Sequence, residues 1–571
     1  MNVLFSALHF ANFRNYESVV RGLAARGHHV HLIADEPETF GGQALVERLA
    51  AEYPSVTWGW APSPASEPWF PFAQKVRYAL DYVRFLDPRY AGMPKLRLRN
   101  VERAARIVRW ATEGVGAVII GHRAVSRLLR WLERRMPRSH EIETFLAERN
   151  PDVVLLTSLT FSRSFQMEQL KAARALGIPT AACILSWDHL SSKALLHVPP
   201  DRTLVWNEVQ RSEATELHGL PGGRVVVTGA QCYDQWFERR PGRTREEFCR
   251  ALGLDPTRRL VLYVCSAMSP VPDPVEPIFV RDWIRALRDS GDPDLREASV
   301  LVRPHPERMR EWQGVNLGDC PHVVVHGRTP IDGEAKADYF ESLYYSDAVV
   351  GLCTSVFLEA AIVGRPVLTL LLPAYRMHQD GMAHFRYLLT VGGGLLHTAP
   401  DVPAHLAQLA EAMRGRGARD ERNRRFLSEF IRPNGLDQAA TPAFVDAVES
   451  VAAIGHQAPD PEFARPHAAT RVIEWLAVRS QHGLGRALMM DAIDQSRAAS
   501  EGARAQTKEQ IEAARAAYRE RKAVQKAEAA RRREQERQAK ARSKRLRAFS
   551  LRKQIARVKG SVKSLVGARH P

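Results

Sequence analysis

Short apolar runs recur along the chain, each followed by a longer stretch with helical spacing. Val3–Ala7 is the first run, and a helix is predicted from Asn15 to Arg26. Gly27 ends that helix, and His28–Ala34 forms the next run. Strand, helix, glycine and strand in this order predict a parallel sheet. Residues 54–71, rich in Pro and Trp, break the rhythm, and 72–135 read as helices with Arg interleaved among aromatic and aliphatic residues. The alternation resumes at Asp152–Thr157, Pro179–Leu185, Arg202–Trp206 and Arg224–Thr228. A second α/β unit follows, with strands predicted at Arg259–Cys265, Ser299–Arg303, His322–His326, Ala348–Gly351 and Pro366–Leu372. Residues 441–490 read as closing helices, and from about 495 the chain reads as one long polar helix without a sustained apolar seam.

The pattern divides the chain into an α/β domain over 1–238 with a helical insert at about 72–135, and a second α/β domain over 239–450. Closing helices over 451–494 and a tail over 495–571 complete it. Hydrophobic residues are 45% and charged residues 25% of the 571, a globular balance. The six cysteines form no CxxC pair, which points to reduced thiols and a cytoplasmic protein rather than a disulfide frame or zinc site. No basic leader precedes the first strand, and no apolar run is long enough to span a membrane.

Charge changes the picture through its placement. The net charge is +17, yet residues 501–571 alone hold 22 Lys and Arg against 7 Asp and Glu. Residues 75–135 hold 15 against 5, so two basic regions sit on a mildly acidic remainder. Rings at Tyr78, Tyr82, Phe85, Trp110 and Trp131 share the first region, a mixture suited to an anionic membrane surface. The tail suits the same surface through charge. Neither region carries a nucleic-acid recognition motif. The expected location is cytoplasmic, peripheral on the inner face of the membrane.

Candidate chemistry falls at strand ends, where open α/β sheets bind ligands. In Gly351-Leu-Cys-Thr354-Ser355-Val-Phe-Leu-Glu359, a strand ends and two hydroxyl residues open a helix. Free N–H groups at a helix start suit a diphosphate, and Glu359 is placed to take ribose or sugar hydroxyls. In Arg303-Pro-His305-Pro-Glu307, two prolines fix a loop that offers Arg303 and His305 to phosphate oxygens. Ser266, after the strand ending at Cys265, joins the donor-binding set. His378 and Gln379 join it from the polar run Tyr375–Arg386. In the first half, Leu185-Ser-Trp-Asp188-His-Leu-Ser-Ser-Lys193 follows a strand. Asp188 there, and His9 after the first strand, are the candidate catalytic bases. Asp292-Pro-Asp294 spells a metal-binding DxD but has turn composition, and no metal or other cofactor is expected.

The order of strand, Arg-Pro-His-Pro loop and Thr-Ser…Glu helix resembles the donor half of GT-B glycosyltransferases. It is similar in particular to the branch of capsule and surface-polysaccharide transferases and CDP-glycerol glycerophosphotransferases. The resemblance covers roughly residues 1–450. It implies two Rossmann-like domains facing a cleft. It also implies phosphate contacts for His305, Thr354 and Ser355, a nucleotide-sugar donor, and a glycan or lipid-linked acceptor. The Trp187-Asp188 segment resembles the Trp-Asp-Asn-x-x-x-Lys stretch of some GT-B-like transferases, with His189 in place of Asn. Polyol-phosphate transfer, nucleotide-sugar epimerisation and a non-catalytic membrane-associated scaffold stay open as alternatives.

Overall fold

The computed structural model describes residues 1–491, apart from 39–40, 268–275, 316, 319, 329, 331–332, 416–420, 465–467 and 490. The basic tail expected over 495–571 lies outside the described residues. The first sheet holds seven strands: β1 (Asn2–Ala7), β2 (His29–Ala34), β3 (Val56–Trp60), β4 (Val153–Leu156), β5 (Thr180–Cys183), β6 (Arg202–Val205) and β7 (Val225–Val227). The second holds six: β8 (Leu260–Val264), β9 (Ser299–Arg303), β10 (Val323–Val325), β11 (Ala348–Gly351), β12 (Val367–Leu370) and β13 (His397–Ala399). Their orders are β3-β2-β1-β4-β5-β6-β7 and β10-β9-β8-β11-β12-β13, and the paired strands run parallel. These are two Rossmann-like sheets, and the strand order reverses between β1 and β4 and between β8 and β11.

Central strands such as β4 and β11 are buried along their whole length, which is why they read as unbroken apolar runs. The structure adds two strands to those expected. β3 lies within the Pro/Trp-rich break, and β13 follows the glycines at 392–394.

The chain crosses to the second sheet at Thr228–Gly229. Gly229 has φ +87°, and a Cβ there would lie 2.7 Å from the Ala440 Cβ, so only glycine fits the close approach. The helix Ala440–Ala452 then returns to the first sheet and shares a core with Val3, Phe5, Tyr16 and Val19. Asp234 ties the crossing to the return. Its carboxylate accepts from Arg432 Nη2 at 2.9 Å and from the Ala440 and Thr441 amides at 2.9 and 2.8 Å.

The insert folds as the helices Phe70–Arg84, Pro94–Val101, Arg106–Thr112, Gly114–Ile119 and Gly121–Arg135. A buried ionic cluster anchors it. Arg77 donates to both oxygens of Glu133 at 3.1 and 3.0 Å and to Glu168 at 3.1 Å, and Lys171 donates to Glu133 at 2.6 Å. Burial by itself would push the Glu133 carboxyl up, but the Arg77 and Lys171 charges bring it down to about 2. Phe85, Tyr90 and Leu96 of the insert share a core with Trp187 and Trp206 of the first half and Leu262 and Phe357 of the second. The insert therefore packs against both sheets. Tyr82 and Phe85, expected at a membrane surface, are buried instead, Tyr78 is half-buried, and Trp110 and Trp131 are exposed.

Candidate functional site

The carboxyl ends of β8 and β11 flank the reversal point of the second sheet, and four expected residues gather there. Ser266 follows β8. Its Oγ accepts from the Cys353 amide at 3.0 Å and lies 3.2 Å from Glu276, which also takes the Ser266 amide at 2.8 Å. Ser266 is thus a buried staple between the two strand ends. Burial pushes the Glu276 carboxyl up to about 7, against hydrogen bonds from Ser266 and Tyr263. Thr354 and Ser355 open the helix Val356–Ile362. Thr354 Oγ1 accepts from the Val356 amide at 3.3 Å, and Ser355 is solvent-exposed. Cys353 Sγ donates to the His378 carbonyl at 2.9 Å, which draws the His378 loop over the same strand end. The ring is half-buried, its Nε2 has no hydrogen-bond partner among the described residues, and burial beside Lys95 lowers its pKa to about 4.

Gln379 is turned inward. Its Nε2 donates to the Leu352 and Leu370 carbonyls at 3.0 and 2.7 Å, which joins the ends of β11 and β12. Glu359 lies one turn into its helix and accepts from the Tyr339 hydroxyl. Burial pushes its carboxyl up to about 7, partly offset by Tyr339 and by the charge of Arg14 from the first half.

The structure gives Arg303 a different occupation from the one its sequence context predicts. It is 6% exposed, donates to Asp338 at 2.8 Å and lies over the Tyr339 ring at 5.3 Å. Gly327 makes room for it, since a Cβ there would come within 2.8 Å of the guanidinium. Asp338 also takes His326 at 3.2 Å and Arg243 at 3.3 Å, so Arg303 belongs to an internal ion network. His305, next along, is half-buried, and its Nδ1 accepts from the Glu307 amide at 3.3 Å. Burial lowers its pKa.

In the first half, Asp188 follows β5. Its oxygens accept from Ser186 at 2.8 Å and Ser192 at 3.0 Å, with Lys193 at 3.8 Å. Burial by itself would raise its pKa, yet the charges of Lys193, His189 and His384 and the Ser186 hydrogen bond hold it well below the usual carboxylate range. A carboxylate so stabilised is a weak base. His9 sits apart, with Nδ1 3.2 Å from the Glu36 carbonyl and Nε2 3.3 Å from Arg163. Arg163 therefore caps the nitrogen that would take a proton.

The two halves meet at Trp187 and His384, whose rings stand edge to face at 5.0 Å. His384 Nδ1 is buried without a partner among the described residues. Burial lowers the pKa of His384, whereas Asp188 raises it. Lys95 and Arg99, on the insert helix Pro94–Val101, reach the same place. Both act electrostatically on His384, and Arg99 donates to the Ser192 carbonyl. Sequence reasoning did not single out Lys95, Arg99 or Arg14, and it left His384 and Lys193 without roles. The polar run Tyr375–Arg386 held the signal for His384.

Among the described residues no three His, Cys, Asp or Glu side chains converge as metal ligands. Asp292 instead caps the helix Pro293–Arg296 by accepting from the Asp294 amide at 2.9 Å, and both carboxylates pair with Arg414. No helix of the described residues is long and apolar enough to cross a membrane.

No protein-family model matches the chain, and no curated protein sequence matches it. Among solved structures it is similar to a glycosyltransferase from Rickettsia africae, with 10% identity and a TM-score of 0.45 over 79% of this chain and 98% of that one. It is also similar to the UDP-GlcNAc 2-epimerase of Methanocaldococcus jannaschii, with 11% identity and a TM-score of 0.44 over 79% and 99%. A third similar structure is MurG of Acinetobacter baumannii, with 12% identity and a TM-score of 0.39 over 79% and 99%.

Proposed function

We propose that the chain is a metal-independent sugar transferase. It moves a sugar from a nucleotide-activated donor to a glycan or lipid-linked acceptor. The observation that carries this reading is the cleft. Two Rossmann-like sheets support it: Thr354, Ser355 and His378 lie at the reversal point of the second, and at the Trp187–His384 contact between the halves Asp188 and Lys193 act electrostatically on His384. The donor's diphosphate lies at Thr354, Ser355 and His305. Ser266, Gln379 and Arg303 hold the strand ends and helices that shape its seat.

Reaction is one in-line displacement. An acceptor hydroxyl loses its proton, its oxygen bonds to the anomeric carbon, and the bond from that carbon to the phosphate oxygen breaks. His384 is placed to take the proton, because its Nδ1 has no other partner and Asp188 stabilises the imidazolium that results. Asp188 and His9 stay behind it as base candidates. The leaving nucleoside diphosphate is stabilised by basic side chains and backbone N–H groups.

The enzyme works at an anionic membrane face. Val115, Val118 and Ile119 are 74%, 88% and 69% exposed, and Arg106, Arg109, Arg123 and Arg127 surround them in sequence with exposed side chains. The helix Ala468–Arg479, which packs on the insert, adds the exposed Trp475. The basic tail supports the same attachment through charge.

A thermal-shift and saturation-transfer panel of UDP-, GDP-, CDP- and CMP-sugars tests the reading, and binding of at least one donor is expected. Binding of none would overturn it. Product analysis then separates a glycosidic bond from a phosphodiester or an isomerised donor.

A further inference from the structure

The helix Pro94–Val101 carries two residue rows with different fates. Leu96 and Asn100, four apart, are buried, and Asn100 donates to the Leu96 carbonyl at 2.7 Å. Lys95 and Arg99, also four apart, form the adjacent row. Two residues earlier, the Gly92 carbonyl accepts from Arg386 of the second half at 3.0 Å, so the start of the helix is fixed against that domain.

Lys95 makes no ion pair with any described residue. It lies within electrostatic reach of Cys353 and His378, at the reversal point of the second sheet. Arg99 donates to the Ser192 carbonyl and makes no ion pair with any described residue, with Asp188 and Asp81 the carboxylates in its reach. Its side chain is reached by solvent, although protein surrounds it. Lys193, on the adjoining segment of the first half, has Asp188 at 3.8 Å. Asp188 is already satisfied by two serine hydroxyls. Two nearby polar atoms, His378 Nε2 and His384 Nδ1, are buried without hydrogen-bond partners among the described residues. Three cations set against Asp188, the carboxylate paired with Lys193, leave a net positive patch that favours an anion.

We propose that Lys95, Arg99 and Lys193 form a binding site for a phosphate or diphosphate ester, closed on its far side by His378 and His384. Long side chains one helix turn apart can converge on one phosphate group or on two adjacent ones, and charge-assisted hydrogen bonds to them are the strong kind. The ester is the donor's diphosphate, shared with the neighbouring Thr354 and Ser355, or it is the acceptor's phosphate, and the site depends on the transfer reading only for that source.

Inorganic pyrophosphate, titrated calorimetrically into the full-length protein at low salt, is the probe. The unaltered protein is expected to bind it, with affinity falling as salt rises. Lys95→Gln with Arg99→Gln weakens binding by about tenfold per cation removed. Lys95→Arg with Arg99→Lys retains most of the affinity, and Arg224→Gln, on an exposed turn elsewhere, binds as the parent does. Circular dichroism checks the fold of each, and the single glutamine variants carry the test if the double variant unfolds.

Competition then identifies the source. Displacement of pyrophosphate by a nucleoside diphosphate assigns the site to the donor. Displacement by a polyprenyl phosphate, with nucleotide binding undisturbed, assigns it to the acceptor. Pyrophosphate binding through these cations without binding of any nucleotide sugar would keep the site and end the transfer reading. Absence of pyrophosphate binding, or equal binding by a folded double glutamine variant, would overturn the proposal.

Discussion

Glu359→Gln exchanges a buried carboxyl for an amide of the same shape. In the folded chain burial lifts this carboxyl from its reference value of 4.5 to about 7. A folded-state pKa above the unfolded one means that the native state prefers the protonated form. The group costs nothing below the unfolded value, and its penalty grows as pH rises through the folded value. The gap of about 2.5 pH units, at 1.36 kcal/mol each, corresponds to about 3 kcal/mol lost once the group is ionised in both states. Glutamine removes the penalty and can still accept from the Tyr339 hydroxyl. The variant should therefore be more stable than the parent at pH 8 by about 3 kcal/mol and equal to it at pH 4. In thermal unfolding followed by tryptophan fluorescence, that is a rise of about 6 °C or more for a domain of this size. On the expected role of Glu359 towards sugar hydroxyls, the same substitution should weaken nucleotide-sugar binding, because an amide is a weaker acceptor than a carboxylate. A gain of equal size at pH 4 and pH 8, or no gain at pH 8, would refute the argument. Retention of full donor affinity would leave Glu359 as a packing residue only.

The ionic cluster of the insert gives the opposite pH dependence. Glu133 is depressed in the folded state, so its contribution is present above the unfolded value and lost as pH falls from 4.5 towards about 2. Arg77→Met leaves Glu133 and Glu168 buried with only Lys171 and should cost about 3–5 kcal/mol in urea unfolding at pH 7; a loss under about 1 kcal/mol would show that the cluster relaxes freely. Ser355→Ala should weaken donor binding without lowering the melting temperature, whereas Arg303→Ala should lower it by several degrees through loss of the Asp338 pair. Equal melting temperatures for the two would reverse that assignment. Val118→Asp with Ile119→Asp, and separately deletion from residue 500, should each reduce sedimentation with anionic liposomes while sparing turnover on a soluble acceptor; unchanged sedimentation in both would end the membrane reading.

The central strands that the chain announces, such as β4, β5, β8 and β11, are buried along their length, since a parallel strand under helices must be apolar throughout. β3 gave no such run. Its sequence, Val-Thr-Trp-Gly-Trp, lies at the sheet edge with Trp60 46% exposed, and only its pairing with β2 makes it a strand. The strand-end chemistry was legible for a topological reason. In a sheet that reverses between β8 and β11, whatever follows those strands must face the crevice, so Ser266, Thr354 and Ser355 are adjacent by fold alone. Side-chain direction was not legible. Arg303 and Gln379 sit in the same kind of position as Ser355, yet Asp338, thirty-five residues along the chain from Arg303, draws one inward, and the open backbone carbonyls of β11 and β12 draw in the other.

Lys95 and Arg99 show the same limit from the other side. Pro94-Lys-Leu-Arg-Leu-Arg reads as one more basic surface helix, and nothing local distinguishes Arg99 from Arg97. The distinction comes from Leu96 and Asn100. Leu96 is buried in a core shared by both sheets, and on the neighbouring row Arg99 donates to the Ser192 carbonyl. In the proposed site one short helix supplies two cations, while Arg97 and Leu98 stay exposed. A phosphate bound at Lys95 and Arg99 and a lipid surface met by the insert would act on the same rigid element. Removing the buried Leu96 contact should then disturb both, although Leu96 touches neither.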